Sequence, residues 1–591
     1  MGKKLKFESW FFYTLFFASL VLTWFFHKDA GRFTDQSEIW SDRAGYYIYL
    51  PATFFYQFDT RKMPPDLDVA TGGGFSIDTL HNWLETRYTY GVALMVSPFF
   101  LATHLVSVVA GKDDEQGFSI LYHRMMNLAG VVYLIAGLWL LKRFLDRYFR
   151  PGISWAVLLL IFTGTNLFYY SMIEGLMSHV YSFFLFAWFL FSLMKFRDTG
   201  QYRWFLALAF SLALATLIRP TNILLGLAFF FLDAQRLKTL WCRLRQIFQL
   251  KYLPVFLLIL FILFIPQMVY WRYLTGHWLY FSYRGEGFTN LAQPAVGAVL
   301  FSPVNGLITH TPLVLLFMAG MGIMLIKKIP DGWFITLLFL LLTWLFSSWK
   351  MWYFGCSYGQ RSYIEYYALF AIPAGYFLKS LFNPGGFILK SLVFFLIFLF
   401  IYCNIRMTVS LYRYERCYYG STWDWDHYLR LMERSGILSP IRQNRSFDND
   451  FENLALCPVK KPSMVFTRSG QYSIATEKKS EITPLYSVPL SVFGYPFPKM
   501  IGVDAWILKP GKQPTGATVS YTFTKDGAVL YNDEMALDSM VKESQTWTSI
   551  HKTFIIPDQY DSTLRINLFL QNKKGALLYL DDLSLKFEYV W

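Results

Sequence analysis

Residues 91–110 read GVALMVSPFFLATHLVSVVA, an apolar stretch long enough to cross the hydrocarbon core of a bilayer. If this stretch spans the membrane, the basic clusters that follow it fall on the outside. If it lies along the interface, all of them face the cytoplasm, as the positive-inside rule requires. The clusters lie at 142–150, 195–203, 236–251 and 327–328. We therefore expect residues 91–110 to lie in the interface or to re-enter on the same side, and not to span the membrane.

The remaining apolar sequence falls into about eleven stretches near the length of a membrane span, at 10–26, 120–141, 153–171, 176–194, 204–218, 221–233, 253–271, 308–326, 333–349, 363–378 and 387–405. The chain is 54% hydrophobic and 16% charged, whereas soluble domains carry about 25% charged residues. This composition excludes a disordered or disulfide-scaffold protein. It predicts a polytopic α-helical membrane protein with about 11 transmembrane helices plus interfacial helices.

The net charge of +14 is unevenly distributed. Residues 1–407 hold 33 Lys and Arg against 20 Asp and Glu, whereas residues 408–591 hold 21 against 20. A basic excess confined to the apolar half indicates the positive-inside bias, so we expect membrane lipids and no nucleic acid as partners. With Lys3, Lys4 and Lys6 before the first span, the N-terminus is predicted to be cytoplasmic and the C-terminus external.

The C-terminal part of the sequence changes from long apolar runs to short alternating ones. Alternation over segments such as 501–508, 517–525 and 563–570 predicts strands of an antiparallel β-sandwich. Residues 580–585 (LDDLSL) resemble the last strand of carbohydrate-binding jelly rolls, although a structural or docking sandwich fits equally well. We predict a membrane domain at 1–407, a linker with a helix near 426–435 at 408–459, and the sandwich at 460–591.

The loop after the first predicted span places Asp42 directly before an aromatic stretch that contains Tyr46 and Tyr47. A carboxylate at the membrane surface can accept a proton from a hydroxyl group. Alternatively, Asp42 caps a helix that begins at Arg43 or Ala44, since Asp is a preferred N-cap residue. The sequence does not favour either interpretation.

Three further outer segments carry ionisable or aromatic side chains. Arg87 and Tyr88 lie at the mouth of the interfacial stretch, where an arginine either holds a lipid phosphate or extends to water. Glu174 and His179 flank the outer end of a span, and a histidine beside a carboxylate there is a candidate site group, although a lone core histidine is more common. Arg219 begins an Arg-Pro-Thr turn that either binds a ligand or simply anchors a hairpin.

Two later outer loops contain more cations. Loop 272–312 carries Arg284 and His310, and the glycine- and aromatic-rich segment after it carries Lys350 and Arg361. Glycines let the backbone approach a ligand closely, and Arg can bind phosphate through two parallel hydrogen bonds. An aromatic belt at the membrane surface explains the Trp and Tyr residues but not the paired cations.

An acid in a long first external loop, an interfacial helix, an Arg-Pro-Thr turn and a late Gly-x-Ser-Tyr-Gly-x-Arg loop together resemble the GT-C superfamily of integral-membrane glycosyltransferases, which includes protein mannosyltransferases and aminoarabinose transferases. The resemblance covers residues 1–407. It implies transfer of a sugar from a polyprenyl-phosphate donor to a hydroxyl of a glycan, lipid or protein, on the periplasmic face of a bacterial inner membrane. The first-loop acid of that family matches Asp42 best, with Asp35 and Glu38 as alternatives.

On this resemblance, Asp42 is expected to remove the acceptor proton in an inverting single displacement. The departing phosphate is expected to be stabilised by external cations, namely Arg87, Arg219, Lys350 and Arg361. The other candidates for substrate contact are Tyr46, Tyr47, Tyr88, Glu174, His179, Arg284 and His310. We expect no cofactor, and the five cysteines show no metal-binding spacing, so a divalent cation is compatible with the site but not indicated.

Two other classes of protein remain as alternatives. A transporter or lipid-linked sugar flippase carries ionisable groups near the bilayer midplane and often shows two related halves, whereas here the polar groups cluster at one face. A scaffold that only displays the β-sandwich would not require cations in several external loops.

Overall fold

The computed structural model describes residues 2–34, 36–111, 115–283, 285–355, 357–382, 386–412, 424–438, 445–453, 462–476, 478, 481–493, 497–498, 500–556 and 563–588. The chain divides into two compact units, Met1–Leu438 and Ser439–Trp591. The ranges 1–407, 408–459 and 460–591 stay a prediction.

The first unit is built mainly of helices. The described helices are α1 (Gly2–His27), α2 (Asp42–Tyr47), α3 (Tyr49–Pro51), α4 (Leu67–Ala70), α5 (Gly91–Val109), α6 (Ile120–Leu145), α7 (Pro151–Gly164), α8 (Leu167–Met172), α9 (Ser178–Thr199), α10 (Tyr202–Ile218), α11 (Leu227–Phe231), α12 (Leu237–Ile247), α13 (Leu253–Thr275), α14 (Val296–Phe301), α15 (Leu307–His310), α16 (Val314–Ile326), α17 (Asp331–Ser347), α18 (Tyr367–Leu381), α19 (Phe387–Ser410) and α20 (Trp425–Arg434). Helix α20 confirms the helix expected near 426–435.

Six helices in the described part of the chain are long and apolar enough to cross a membrane: α1 from Glu8 onward, α5, α6, α9, α13 and α19. This unit is therefore that of a multi-pass membrane protein. Helices α7, α10, α16 and α17 and the segment Pro220–Phe231 are apolar but shorter. The count of about eleven spans stays a prediction, as does the interfacial placement of α5, which has the length of a span.

Local sequence explains where several helices end. Gly200 and Gly276 follow α9 and α13 with φ of 65° and 77°, a left-handed conformation that glycine adopts without steric cost. Pro151 begins α7, where its missing N–H costs no hydrogen bond. Between α4 and α5, the antiparallel strands β1 (Phe75–Asp78) and β2 (Trp83–Thr86) form a hairpin.

The second unit contains two antiparallel sheets, which confirms that part of the sequence prediction. Its elements are β3 (Arg445–Asn449), β4 (Ile474–Thr476), β5 (Glu481–Pro489), β6 (Met500–Leu508), β7 (Ala517–Lys525), β8 (Ala528–Ala536), α21 (Leu537–Met540), β9 (Thr548–Ile555), β10 (Arg565–Asn572) and β11 (Leu578–Glu588). One sheet has the order β5-β10-β7-β8, and the other has β3-β11-β6-β9 with β4 paired to β11. Buried side chains of both sheets belong to one hydrophobic cluster.

Candidate functional site

The centre of the candidate site is an ion pair between Asp42 and Arg361. Arg361 donates from Nη2 to Oδ2 of Asp42 at 3.3 Å, and the two side chains are 15% and 35% exposed. Helix α2 begins at Asp42 itself, and Ser41 occupies the N-cap position without a side-chain capping bond. The carboxylate of Asp42 therefore faces the arginine, and Asp42 does not take the N-cap position.

Close backbone contact fixes the position of Asp42. The N–H of Ser41 donates to the carbonyl of Thr71 at 2.8 Å. A Cβ at Gly74 would lie 1.8 Å from the Ser41 oxygen, and one at Gly45 would lie 2.3 Å from the Gly74 oxygen, so both positions need glycine. The β1–β2 hairpin adds a hydrogen bond from Thr86 Oγ1 to the Gly45 carbonyl at 3.0 Å. The start of α2 is thus held by the hairpin and the loop before it.

Arg361 is positioned by a loop that buried amide side chains hold in place. Asn305 Nδ2 donates to the Tyr353 carbonyl at 2.9 Å and to Ser357 Oγ at 2.7 Å, while its Oδ1 accepts the N–H of Gly359 at 3.1 Å. Gly359 has φ of +63°, and a Cβ there would lie 3.1 Å from His310 Cβ. The turn that leads into Arg361 therefore accounts for glycine at this position. Close approach of a ligand to the backbone is not needed to explain it.

A second arginine, Arg219, belongs to a buried polar group with His179 and Glu365. Arg219 Nη1 donates to Glu365 Oε1 at 3.2 Å and lies 3.2 Å from His179 Nδ1. His179 Nδ1 is also 3.2 Å from Glu365 Oε2. Since Ser362 Oγ accepts from Arg219 Nη2 at 3.4 Å, this group is joined to the turn that carries Arg361. Glu365 was not singled out from the sequence.

Tyr46 and Tyr88 lie together beside the two arginines. Their ring centroids are 4.2 Å apart, and the Tyr46 hydroxyl donates to Ser178 Oγ at 3.3 Å. Burial raises the pKa of Tyr46, and the charges of Arg219 and Arg361 oppose that rise. Burial also raises the pKa of Tyr88 well above its ordinary value, and the neighbouring Asp42 carboxylate adds to the shift. Both phenols therefore stay protonated and can donate hydrogen bonds.

Behind Asp42, the buried carboxylate of Glu38 and the half-buried carboxylate of Glu174 lie near Arg43. Glu38 Oε2 is 4.0 Å from Arg43 Nη1, and Glu38 Oε1 accepts the N–H of Leu176 at 2.5 Å. Burial raises the pKa of Glu38 to about 7, against the charge of Arg43. Burial likewise raises the pKa of Glu174, against the charges of Arg43 and Arg361. Glu174 therefore belongs to the same charged region as Asp42.

Other predicted residues lie elsewhere or make contacts of another kind. Arg87 is 53% exposed and donates to Glu286 at 3.4 Å, and exposed Lys350 donates to the Gly285 carbonyl at 2.9 Å. The Tyr47 hydroxyl donates to the Gly117 carbonyl at 2.5 Å inside the core. His310 is buried with its ring 5.7 Å from that of Tyr358 and 5.2 Å from that of Tyr428. Arg284 and Asp35 lie outside the described residues.

The site has no evident metal centre in the part of the chain that the structure describes. No group of three or more His, Cys, Asp or Glu side chains there could hold a metal ion. The expectation of a reaction without a cofactor stays a prediction.

Comparison with known proteins gives no family for this chain. No family model matches it, and no curated protein does. The arabinosyltransferase EmbB from Mycobacterium smegmatis aligns over 79% of this chain and 58% of its own, at 10% identity and a TM-score of 0.29. The arabinose-bound MgGH51 α-L-arabinofuranosidase aligns over 24% and 22%, at 11% identity and a TM-score of 0.15. Both TM-scores are too low to support an inference about function.

Proposed function

We propose that this chain is a membrane glycosyltransferase that moves a sugar from a polyprenyl-phosphate donor to an acceptor hydroxyl. The observation that supports this most is the contact between Asp42 and Arg361 next to a second arginine, Arg219. Glycosyl transfer from a lipid phosphate requires a base for the acceptor hydroxyl and positive charge for the leaving phosphate. Asp42 and the two arginines supply both in one place.

In the proposed step, the acceptor oxygen attacks the anomeric carbon while the bond from that carbon to the phosphate oxygen breaks. The electron pair of the broken bond goes to the phosphate, and the hydroxyl proton passes to Asp42. Attack from the side opposite the leaving group inverts the anomeric centre. Arg361 and Arg219 stabilise the negative charge that develops on the polyprenyl phosphate.

Donor binding changes the partner of Arg361 in this mechanism. Without a donor, Arg361 is paired with Asp42 at 3.3 Å. A phosphate offers a guanidinium two parallel charge-assisted hydrogen bonds, so it competes with the carboxylate for Arg361. Asp42 is then released to act as a base. Tyr46 and Tyr88 stay protonated, and on donor binding they redirect their hydroxyl protons from Ser178 and Asp42, respectively, to oxygens of the sugar or phosphate.

The surrounding groups have supporting roles in this proposal. Glu365 and His179 hold Arg219 in position through contacts at 3.2 Å. Arg87 hydrogen-bonds to Glu286 and Lys350 to the Gly285 carbonyl, and from there the two cations guide the lipid phosphate toward the site. No step requires a metal ion.

The placement of the site on the external face of an inner membrane is part of the same proposal. It is supported by the basic clusters, all of which face the cytoplasm if the N-terminus does and residues 91–110 do not span the membrane. We also propose that the two C-terminal sheets pack as a β-sandwich. The single hydrophobic cluster to which both sheets contribute supports this packing.

The proposal is tested with the full-length protein in lipid nanodiscs. The assay supplies synthetic undecaprenyl-phosphate pentoses and hexoses with a mixture of cell-envelope glycans, and mass spectrometry follows undecaprenyl phosphate and glycosylated product. Release of both in equal amounts supports the proposal. Transbilayer movement of a fluorescent lipid-linked sugar in proteoliposomes, without product formation, would show a flippase instead. No turnover with any donor would contradict the proposal.

A further inference from the structure

A groove of about 500 Å³ lies where α11 and α12 meet the first turns of α17. Phe231 and Phe334 stack within it at 5.6 Å between ring centroids. Helix α17 has 17 residues, which corresponds to about 25 Å. Its lining on α17 extends from Trp333 to Leu341, whereas the loop with Lys350 and Arg361 follows the end of this helix. The groove is therefore separate from the candidate site, and none of the residues proposed for sugar transfer lines it.

Helix α12 carries an uncovered apolar face beside the groove. Leu237, Trp241, Leu244 and Phe248 recur at helical spacing on one side of this segment, and all four are exposed. Lys238 and Arg245 flank this stripe, since each directly follows one of its leucines. A short basic helix with an exposed apolar stripe is typical of a helix that lies in the plane of a membrane interface. The span α13 begins six residues after α12 ends, which agrees with this placement.

The rim of the groove is positively charged. Lys328 and Gln235 line it, and Arg236, Lys238 and Lys327 are exposed near them in sequence. The structure shows no carboxylate partner for Lys328 among the described residues.

The nearby acidic groups are already engaged inside the helical unit. Arg197 donates to Asp233 Oδ2 at 3.1 Å, and Asp331 Oδ1 accepts the N–H of Asp233 at 2.6 Å. Among the described residues, neither carboxylate forms an ion pair with a cation at the rim. The entrance of an apolar groove is thus left with unbalanced positive charge, which is complementary to an anionic lipid headgroup.

We propose that this groove binds one anionic glycerophospholipid from the bilayer leaflet at this end of the helical unit. The acyl chain lies along Trp333, Leu337 and Leu341, which follow one another at four-residue spacing on α17 and line the groove. These three side chains are exposed and extend over about 12 Å of the helix. The phosphate is bound by Lys328 with Gln235 beside it. This proposal does not depend on the proposed function.

Native mass spectrometry of the full-length protein in detergent tests the site, with dioleoyl phosphatidylglycerol and dioleoyl phosphatidylcholine as probes. We expect one tightly retained phosphatidylglycerol, bound about tenfold more strongly than phosphatidylcholine. Lys328→Gln should weaken retention about fivefold, the effect of one lysine at an anionic membrane surface. The matched control is Lys327→Gln, since Lys327 is exposed but does not line the groove, and it should change retention less than twofold.

A second variant keeps the test valid if a charge change disturbs folding. Leu337→Trp fills the groove without altering any charge and should also reduce retention, while thermal unfolding in detergent stays unchanged. Excess inorganic phosphate should not displace the lipid, because the acyl chain supplies much of the binding. Equal retention of both lipids, displacement by phosphate, or wild-type retention in Lys328→Gln and Leu337→Trp would overturn the proposal.

Discussion

The Arg361 guanidinium donates to the Asp42 carboxylate at 3.3 Å across 319 positions of sequence. The contact joins the first residue of α2 to the 3₁₀ turn Arg361–Tyr363 before α18. It places an acid from the first long loop and a cation from a late loop at one point of the helical unit. The two side chains form an ion pair, and their proposed roles as base and phosphate ligand can be separated by substitution.

Asp42→Asn should abolish most of the transferase activity. Asparagine keeps the shape of the side chain and can still accept from Arg361, so the fold should be retained, but an amide cannot take up the acceptor proton. Loss of a general base typically costs about 10²–10⁴ in rate. Turnover with saturating donor, measured as release of undecaprenyl phosphate, gives the comparison.

The matched control for this variant is Asp66→Asn. Asp66 is an exposed aspartate of the same long loop, with φ of 57°, and its side chain makes no capping bond in α4. Since asparagine also tolerates that conformation, the control should retain full activity. If Asp42→Asn were as active as Asp66→Asn, Asp42 would not be the base.

The four candidate cations should not contribute equally. Arg361→Gln and Arg219→Gln should each lower kcat by about 10²–10³, the usual cost of removing one group that stabilises developing charge. Arg87→Gln and Lys350→Gln should cost less than about tenfold, because these exposed side chains lie in higher dielectric, where charge interactions are weaker. Initial rates at saturating donor decide between the pairs. A larger loss of kcat for Arg87→Gln and Lys350→Gln would indicate that the phosphate binds at residues 282–287 instead.

The periodicity of the sequence predicts the main elements of the fold. There is a physical reason why it does not predict the others. The alternating runs at 517–525 and 563–570 correspond to β7 and β10, whose side chains alternate or are continuously buried. Strand β8 was not foreseen because it lies at the edge of its sheet and is largely exposed, so its sequence carries little apolar alternation. Edge strands are specified mainly by their neighbours.

The candidate site was only partly foreseeable for the same kind of reason. Asp42, Arg219 and Arg361 are conspicuous because charges in otherwise apolar or aromatic segments are costly and need partners. Glu365 meets the same criterion, yet its role becomes evident only when packing brings it to 3.2 Å from Arg219. Tyr47 was predicted to contact substrate, but its hydroxyl is hydrogen-bonded in the core. No sequence pattern distinguishes such a tyrosine from one that faces a site.

Glu365→Gln should destabilise the helical unit. Glu365 is buried and is 3.2 Å from both Arg219 and His179, so its neutralisation leaves a largely buried guanidinium without its counterion. Breaking one partner of a buried ion pair costs about 3–5 kcal/mol, and we expect the lower end because Arg219 is 20% exposed. Thermal unfolding in detergent measures the loss.

Adding Arg219→Gln to Glu365→Gln should restore part of the lost stability, because the double variant no longer buries an unpaired charge. If the two losses simply added, the ion pair would not be the cause.

Substitutions at two glycines of the loop that leads into Arg361 distinguish the cost of a left-handed backbone from the cost of a steric contact. Gly359 and Gly355 have φ of +63° and +67°, but only a Cβ at Gly359 would meet a neighbour, His310 Cβ at 3.1 Å. Gly355→Ala should therefore cost about 1–2 kcal/mol from the left-handed conformation alone. Gly359→Ala should cost about 1 kcal/mol more, because the neighbouring side chain must shift. Equal unfolding midpoints for the two variants would contradict the tight contact.

Glu38 should make stability depend on pH in a defined direction. Burial raises its pKa from 4.5 to about 7, so between these values the folded protein holds a proton that the unfolded chain has released. Stability therefore falls as pH rises through this window and is greatest below it. The upper limit of the effect is about 3.5 kcal/mol, since one pKa unit corresponds to about 1.4 kcal/mol. Unfolding in detergent at a series of pH values from about 5 to about 7.5 measures the slope.

The variant Glu38→Gln isolates this contribution from all other titrating groups. Glutamine is uncharged at every pH of the series and keeps an oxygen that can accept the N–H of Leu176, as Glu38 Oε1 does at 2.5 Å. Its pH slope should therefore be smaller than that of the wild type, with the largest gain in stability at the high-pH end, where the wild type must bury a charge. Asp66→Asn, which removes an exposed carboxylate, should keep the wild-type slope. Parallel slopes for wild type and Glu38→Gln would mean that Glu38 does not bind its proton in this window, and that Arg43 holds it ionised throughout.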